Sequence, residues 1–350
     1  MPGEPTGEVI AGGRYRRAIT MTEAEPALAV DHLRVAFPTR RGLLVAVREA
    51  TFTIERGEIL GLVGESGAGK SVTGAAIIGL IDPPGRIVGG EVRIGGRRVD
   101  RLPDEAMRRI RGREVGAIFQ DPLTSLNPLY TIGRQLIETI RTHRSMSEAA
   151  ARVAAIALLE DVGIPAPARR IDHYPHQFSG GMRQRVVVAL ALAADPDLVI
   201  ADEPTTALDV SVQAQIIALL KRLCRDRGTA IMLITHDIGV IAEAADRVAV
   251  MYAGRVVEIG GVRDVIKQPL HPYSAGLMGS IPTLDSDLER LVQISGSMPR
   301  LTSIPSGCPF HPRCPRAFEP CACARPQLVR RDRSAVACWL YEDVPAGAAR

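Results

Sequence analysis

Residues Gly64–Ser71 read Gly-Glu-Ser-Gly-Ala-Gly-Lys-Ser and fit the phosphate-cradling pattern G-x-x-x-x-G-K-[ST]. Glu58–Val63, just before, is an apolar run of strand length, and Val72–Leu80, just after, reads as a helix. Strand, glycine loop and helix in that order are the setting the pattern requires. Gly64, Glu65, Ser66, Gly67, Ala68 and Gly69 then supply consecutive N–H groups. Gly67 and Gly69 let these curve round phosphate oxygens with no Cβ in the way. The helix N-terminus adds partial positive charge. Lys70 neutralises the terminal phosphates, and the Ser71 hydroxyl suits Mg²⁺.

Composition narrows what surrounds this loop. A chain of 350 residues can bury a full core and hold two domains. Net charge is +4, with arginine spread along the chain. No basic stripe of the kind that binds nucleic acid results. No apolar run reaches 18 residues and no apolar leader follows Arg14, Arg16 and Arg17, so a cytoplasmic chain is expected. Six cysteines in such a chain are more often ligands or free thiols than disulfides. Residues 1–25, rich in Gly, Pro, Glu and Arg, read as disordered. Met21 is an alternative start.

Downstream, Leu28–Phe37 and Ala50–Ile54 alternate as antiparallel strands. Phe37 closes the first, where an aromatic ring either stacks on a base or packs in the core. Gly89–Val99 reads as a hairpin, Leu102–Arg111 as a helix and Val115–Phe119 as a buried strand ending at Gln120. That glutamine can reach a metal or a water beside the phosphates. Asp121–Pro128, with two prolines, reads as a loop and not a helix. Ile132–Arg144 and Glu148–Val162 read as a helical insertion. Ser179, Gly180 and Gly181 precede a helix over Arg183–Ala194. They form either a second anion-binding arrangement or a plain serine cap. Asp197–Ala201 is a buried parallel-type strand followed by Asp202 and Glu203. Asp202 suits Mg²⁺, and Glu203 can polarise a water for attack on the γ-phosphate. Ala207-Leu208-Asp209 leads into a helix reaching about Arg225. Ala230–Thr235 is a further buried strand, ending at His236, which can bond the phosphate or the attacking water. Strands at Asp246–Met251 and Arg255–Glu258 close the core near residue 262.

Over roughly residues 28–262 these features resemble the nucleotide-binding subunit of ABC transporters. Gly64–Ser71 looks like Walker A, 198–203 like an extended Walker B, Gln120 like the Q-loop glutamine, 207–209 like the D-loop and His236 like the switch histidine. Phe178–Met182 resembles the signature Leu-Ser-Gly-Gly-Gln. It departs at its first and last positions and keeps Ser-Gly-Gly. The resemblance implies an α/β fold: an ABC-type P-loop ATPase with a mixed-sheet core, an antiparallel β subdomain and a helical subdomain at about 121–180. It implies ATP and Mg²⁺ as cofactors. Two cassettes would sit head to tail, with Ser179, Gly180, Gly181 and Asp209 serving the partner's ATP. Glu203, His236, Lys70 and Gln120 would carry catalysis, Ser71, Gln120 and Asp202 would hold Mg²⁺, and Phe37 would face adenine.

The tail narrows the resemblance. Ile118–Pro128, Phe178–Arg185, His271-Pro272-Tyr273, Ser280-Ile281-Pro282 and Cys308–Cys314 are similar to oligopeptide/dipeptide (and nickel) importer ATPases. That implies a cassette over 26–262 and a Cys-rich C-terminal extension over 263–350. Cys308, Cys314, Cys321 and Cys338 are spaced C-x5-C-x6-C-x16-C. Four thiolates suit [4Fe–4S] or zinc, and the resemblance favours [4Fe–4S] in a structural role. Cys323 is a possible competitor for Cys321, and Cys224 reads as a buried thiol. The expected partners are a second, related but non-identical ATPase chain, two transmembrane permeases and, through them, an extracytoplasmic solute-binding protein. The expected place is peripheral, at the cytoplasmic face of the cell membrane. The expected function is ATP-driven import of di- and oligopeptides. Nickel or another small solute is the alternative cargo. A soluble ABC ATPase acting on nucleic acid is the rival class.

Overall fold

Five apolar strands lie parallel at the centre, in the spatial order Val115–Ile118, Leu198–Asp202, Ala230–Ile234, Ile59–Val63 and Arg247–Tyr252. The computed structural model describes residues 25–342 except 41, 207 and 281–293, together with 9–10 and 14–15. Burial on both faces explains the runs of consecutive apolar residues. Ile59, Val199, Ala201, Ile231 and Leu233 face one core layer, built with the long helices. Leu60, Leu62, Leu198, Ile200, Met232 and Ile234 face a second layer, shared with the antiparallel strands.

Those antiparallel strands are Leu28–Thr39, Gly42–Ile54 and Arg86–Ile94, with the two-residue strand Arg97–Arg98 at the edge. They join the central sheet through Arg255–Gly261, which pairs antiparallel to Arg247–Tyr252 and meets Glu49 at Arg255. The strand Gly42–Ile54 begins earlier than the alternation at Ala50–Ile54 suggests.

The helical insertion contains Pro122–Ser125, Ile132–His143, Glu148–Asp161 and Pro167–Arg170. Thr131 and Ser147 cap the two long members by accepting the Arg134 and Ala150 N–H groups. Each such cap contributes about 1 kcal/mol. Pro122–Ser125 corrects the expectation of a helix-free loop over Asp121–Pro128. Proline at the first helical position costs nothing, because its missing N–H would be unsatisfied there anyway. Further helices are Lys70–Ile77, Gly180–Ala191, Val210–Arg227 and Ile238–Ala244.

The C-terminal stretch continues this architecture. Ser334–Val336 adds antiparallel to Arg255–Gly261, and Val329–Arg331 pairs with it in turn. Tyr273 and Phe310 pack with Tyr252 in one buried aromatic group, with Tyr252 and Tyr273 centroids 4.6 Å apart. A short antiparallel pair, Val9–Ile10 with Arg14–Tyr15, departs from the unstructured reading of the N-terminal stretch. The rest of residues 1–24, Ala207, Ile281 and Pro282 lie outside the described residues. Among the described residues no helix is long and apolar enough to cross a membrane.

Candidate active site

The loop after Ile59–Val63 is shaped by space as much as by torsion. A Cβ on Gly64, at φ +153°, would lie 2.2 Å from the Met251 carbonyl oxygen. Gly67, at φ +83°, has nothing within 4 Å of where its Cβ would be. One glycine is therefore required by the neighbouring strand, and the other leaves open room on the cradle's outer side. The helix Lys70–Ile77 starts at Gly69 with no side-chain cap. Its first N–H groups are left for an anion.

Lys70 is 6% exposed and folds back over the loop, donating from Nζ to the Gly64 carbonyl at 2.8 Å and the Glu65 carbonyl at 3.2 Å. Burial lowers its pKa, opposed by Glu203 and Asp202. The cation is thus desolvated beside two carboxylates, where its charge acts at short range. Ser71 Oγ donates to Asp202 Oδ1 at 3.1 Å. Burial pushes the Asp202 carboxyl up, with the Ser71 bond and Lys70 opposing and Glu203 adding. Asp202 is an oxygen ligand that gains from an added cation at this point.

Glu203 is the hub. Gln120 Nε2 donates to its Oε2 at 3.0 Å, and Thr206 Oγ1 to the same oxygen at 2.9 Å. His236 Nδ1 lies 3.0 Å from its Oε1. Burial opposes ionisation, but the His236 and Thr206 bonds, with His236 and Lys70 charge, outweigh it and hold the carboxyl below its ordinary value. Its backbone sits at φ +49°, a left-handed conformation in a residue other than glycine. The strain is held by its N–H bond to the Ile234 carbonyl at 2.8 Å.

The structure therefore brings together Lys70, Ser71, Asp202, Glu203, Gln120 and His236. Ser179 lies apart from this group. It caps Gly180–Ala191 by accepting the Met182 N–H at 3.4 Å. Ser179 and Gly180 are exposed, Gly180 with open space where a Cβ would stand, while Gly181 is pressed against Val212. Asp209 caps Val210–Arg227, accepting from Val212 N–H and Ser211 Oγ, and makes no bond to the phosphate loop. Gln120 bonds Glu203 and not the Ser71–Asp202 pair, so its expected place as a Mg²⁺ ligand is not formed here. Phe37 is half-buried, its ring against Gly85 and Ile81.

Three contacts went unread in the sequence. Thr206 lies three residues beyond Glu203, a spacing that could have revealed its bond. Tyr273 Oη accepts the Glu65 N–H at 2.9 Å. Arg313 Nη1 lies 3.1 Å from both Glu65 oxygens and donates to one of them. Nothing local marks contacts across so much chain.

Cys308, Cys314, Cys321 and Cys338 line one small cavity, and all are free thiols. Burial pushes the Cys308 thiol up to about 11, with Cys321, Cys338 and Cys314 adding. Cys323 is exposed, and Cys224 is buried in the core, as expected of it. Among the described residues no group of three or more His, Cys, Asp or Glu is placed to hold a metal ion, so neither the [4Fe–4S] expectation nor its zinc alternative finds a formed ligand set here.

Comparison with known proteins agrees with this arrangement. The pattern that defines the ABC transporter family matches residues 47–206, and that of the oligopeptide/dipeptide transporter C-terminal region matches 257–321. The dipeptide transport ATP-binding protein DppD of Bacillus subtilis is 49% identical over 320 residues, covering 91% of this chain and 96% of its own. The oligopeptide transport ATP-binding protein OppD of Escherichia coli is 49% identical over 308 residues, covering 88% and 91%. A dimeric ATP-binding cassette solved with ADP and Pi superposes with a TM-score of 0.61 at 29% identity, over 67% of this chain and 99% of that one. The chain belongs to the ABC transporter family of ATPases, in its oligopeptide/dipeptide transport ATP-binding branch.

Proposed function

We propose that this chain hydrolyses ATP to drive import of di- and oligopeptides through separate membrane permeases. The observation that carries the reading is the convergence of Gln120, Thr206 and His236 on Glu203, beside the Ser71–Asp202 pair. The loop N–H groups and Lys70 hold the β- and γ-phosphates, and Phe37 stacks on adenine. Ser71 and Asp202, two hard oxygen donors at hydrogen-bond distance, would hold Mg²⁺, and the ion would supply positive charge for the phosphates. Glu203 accepts a proton from water as the water oxygen bonds to the γ-phosphorus. The bond to the bridging oxygen breaks, releasing ADP and phosphate. Gln120 and His236 orient the carboxylate and report on the γ-phosphate.

The cassette spans 26–262, with 121–180 as its helical subdomain and 263–350 as the extension. It closes head to tail on a second, related chain, whose ATP is met by Ser179, Gly180, Gly181 and Asp209. The exposure of Ser179 and Gly180 supports this. The closed dimer presses on two permeases at the cytoplasmic face of the membrane, supplied by an extracytoplasmic solute-binding protein. Cys308, Cys314, Cys321 and Cys338, which line one cavity, would be the ligands of [4Fe–4S]. Such a cluster supplies a covalent cross-link that fixes the extension.

The test is reconstitution with the permeases in vesicles. ATP-dependent peptide uptake that disappears with Glu203→Gln, while ATP binding persists, is the expected result. Uptake unaffected by Glu203→Gln, or hydrolysis indifferent to permeases and peptide, would overturn the proposal.

A further inference from the structure

Four guanidinium groups from distant parts of the chain line one cleft beside the Gly254 turn. Gly254 is the junction: its N–H donates to the Ala68 carbonyl at 2.8 Å, and its carbonyl accepts the Arg48 and Glu49 N–H groups at 2.7 and 3.1 Å. This fixes Arg48 beside Arg255. Both are half-buried, while Arg34 and Arg325 form an exposed rim. Arg34, Arg48, Arg255 and Arg325 line one cleft together with His32 and Glu49.

The cleft is short of negative charge. Glu49 is its carboxylate, and it is already paired with Arg255 and hydrogen-bonded to His32 Nδ1. Among the described residues, the side chains of Arg34, Arg48 and Arg325 have no hydrogen bond and no ion pair. The Nε atoms of Arg48 and Arg255 are buried without a partner. Burial, then Arg325, Arg255 and Arg34, weaken the Arg48 guanidinium's hold on its proton. Burial, then Arg325 and Arg34 against Glu49, do the same to Arg255. A folded chain gathers unpaired like charges at a cost, and an anion removes that cost.

Beneath the arginines the same seam opens into a cavity of about 230 Å³. Its walls include Tyr252, Val256, Phe310, Leu328 and Ala337 together with Arg255 and Arg325, which also line the cleft. Planar guanidinium forks match phosphate oxygens in pairs, and an apolar chamber below suits a flat organic body. We propose that this seam binds a nucleoside polyphosphate, its phosphates on Arg48, Arg255 and Arg325 and its base in the chamber, separately from the phosphate loop. The separation rests on the reading of Gly64–Ser71 as the ATP site. Because Gly254 bonds both Arg48 and Ala68, occupancy reaches the loop through one turn.

The test uses the full chain carrying Lys70→Ala, which disables the loop, and titrates GTP and inorganic tripolyphosphate calorimetrically. One equivalent of GTP should still bind, more tightly than tripolyphosphate. Adding Arg48→Gln should weaken it at least about tenfold, as loss of charge-assisted bonds does. Arg325→Gln, an exposed change, should do likewise and guards against misfolding at Arg48. Binding that vanishes with Lys70→Ala alone would overturn the proposal, as would binding indifferent to both arginine changes. Equal affinity for GTP and tripolyphosphate would remove the chamber's part. Full loop binding in the Lys70→Ala chain would instead sink the reading of the ATP site, and arginine-independent GTP binding would reveal it.

Discussion

Replacing Arg313 by alanine should loosen the phosphate loop from outside the catalytic group. Arg313 is 8% exposed at its side chain, and its partner Glu65 is 27% exposed. Nη1 donates to Glu65 and to Tyr252 Oη at 3.3 Å, and Nε donates to the Ser295 carbonyl at 2.8 Å. One Glu65 oxygen is buried with no hydrogen bond, held only by proximity to the cation. Truncation leaves that carboxylate uncompensated. Breaking a buried pair costs about 3–5 kcal/mol. Since Glu65 keeps some access to water, the lower end, about 3 kcal/mol, applies here. The thermal midpoint should fall by about 4 °C. Glu65 lies within the phosphate loop, where its carbonyl accepts the Ala68 N–H at 3.1 Å, so KM for ATP should rise about tenfold, the equivalent of about 1.4 kcal/mol. The turnover number should change less, because Glu203 and its partners are untouched. Arg313→Lys should recover part of both losses, keeping the charge without the fork. The assay is ATPase kinetics alongside a melting curve, on the permease complex. An Arg313→Ala protein with KM within twofold of wild type and an unchanged midpoint would refute the reasoning. So would a lysine variant no better than alanine.

Glu203→Gln should cut turnover at least about a hundredfold with ATP affinity retained, read by single-turnover hydrolysis beside equilibrium nucleotide binding. Thr206→Val removes one of two donors to Glu203 Oε2. It should raise the carboxyl's pKa and shift the acid limb of the pH–rate profile upward, because the base is active only where ionised. His271 is buried, and its imidazole is pushed down to about 3 from 6.5. The unfolded chain then takes a proton the folded chain refuses, so this residue's contribution to stability is lost as pH falls from about 6.5 toward 3. His271→Asn should flatten that part of a stability–pH curve measured by chemical unfolding. Cys308→Ser or Cys338→Ser should abolish bound iron and acid-labile sulfide on anaerobic purification, whereas Cys323→Ser, at an exposed position, should leave both in place.

What the sequence made legible was local chemistry. Gly64–Ser71 announces itself because phosphate binding needs glycines and a lysine at fixed spacing on one loop. Leu198–Glu203 does so because a doubly buried strand must be apolar until it meets the site. The helices Ile132–His143 and Glu148–Asp161 stand within a residue of where the sequence put them. Contacts closed over long distances stayed hidden. Glu65 and Arg313 are 248 residues apart, and each looks like an ordinary surface charge in its own neighbourhood. Ser334–Val336 is too short to show an alternating pattern, and its pairing with Glu258–Gly260 and with Val329–Arg331 makes it a strand. The Arg34, Arg48, Arg255 and Arg325 cluster was read as spread charge, because two bends of the chain and the extension are needed to gather it.

The geometry gives the extension a larger part than that of an appendage. The phosphate loop is anchored at both ends, by different elements. At its helix end, Ser71 is tied to Asp202 of the catalytic group. At its strand end, Glu65 is held by Tyr273 through its N–H and by Arg313 through its carboxylate. Both of those partners come after the strand Arg255–Gly261 in the chain. Arg313 sits directly before Cys314 and five residues after Cys308, and the Cys308 N–H bonds the Cys321 carbonyl at 2.8 Å. Whatever fixes the four cysteines therefore fixes the direction of the Arg313 side chain. A loop that must fit phosphate to within a few tenths of an ångström gains from a second rigid support. On this account loss of the cysteine site should act on ATP first through Glu65, raising KM before it lowers turnover, with the Glu203 group still assembled.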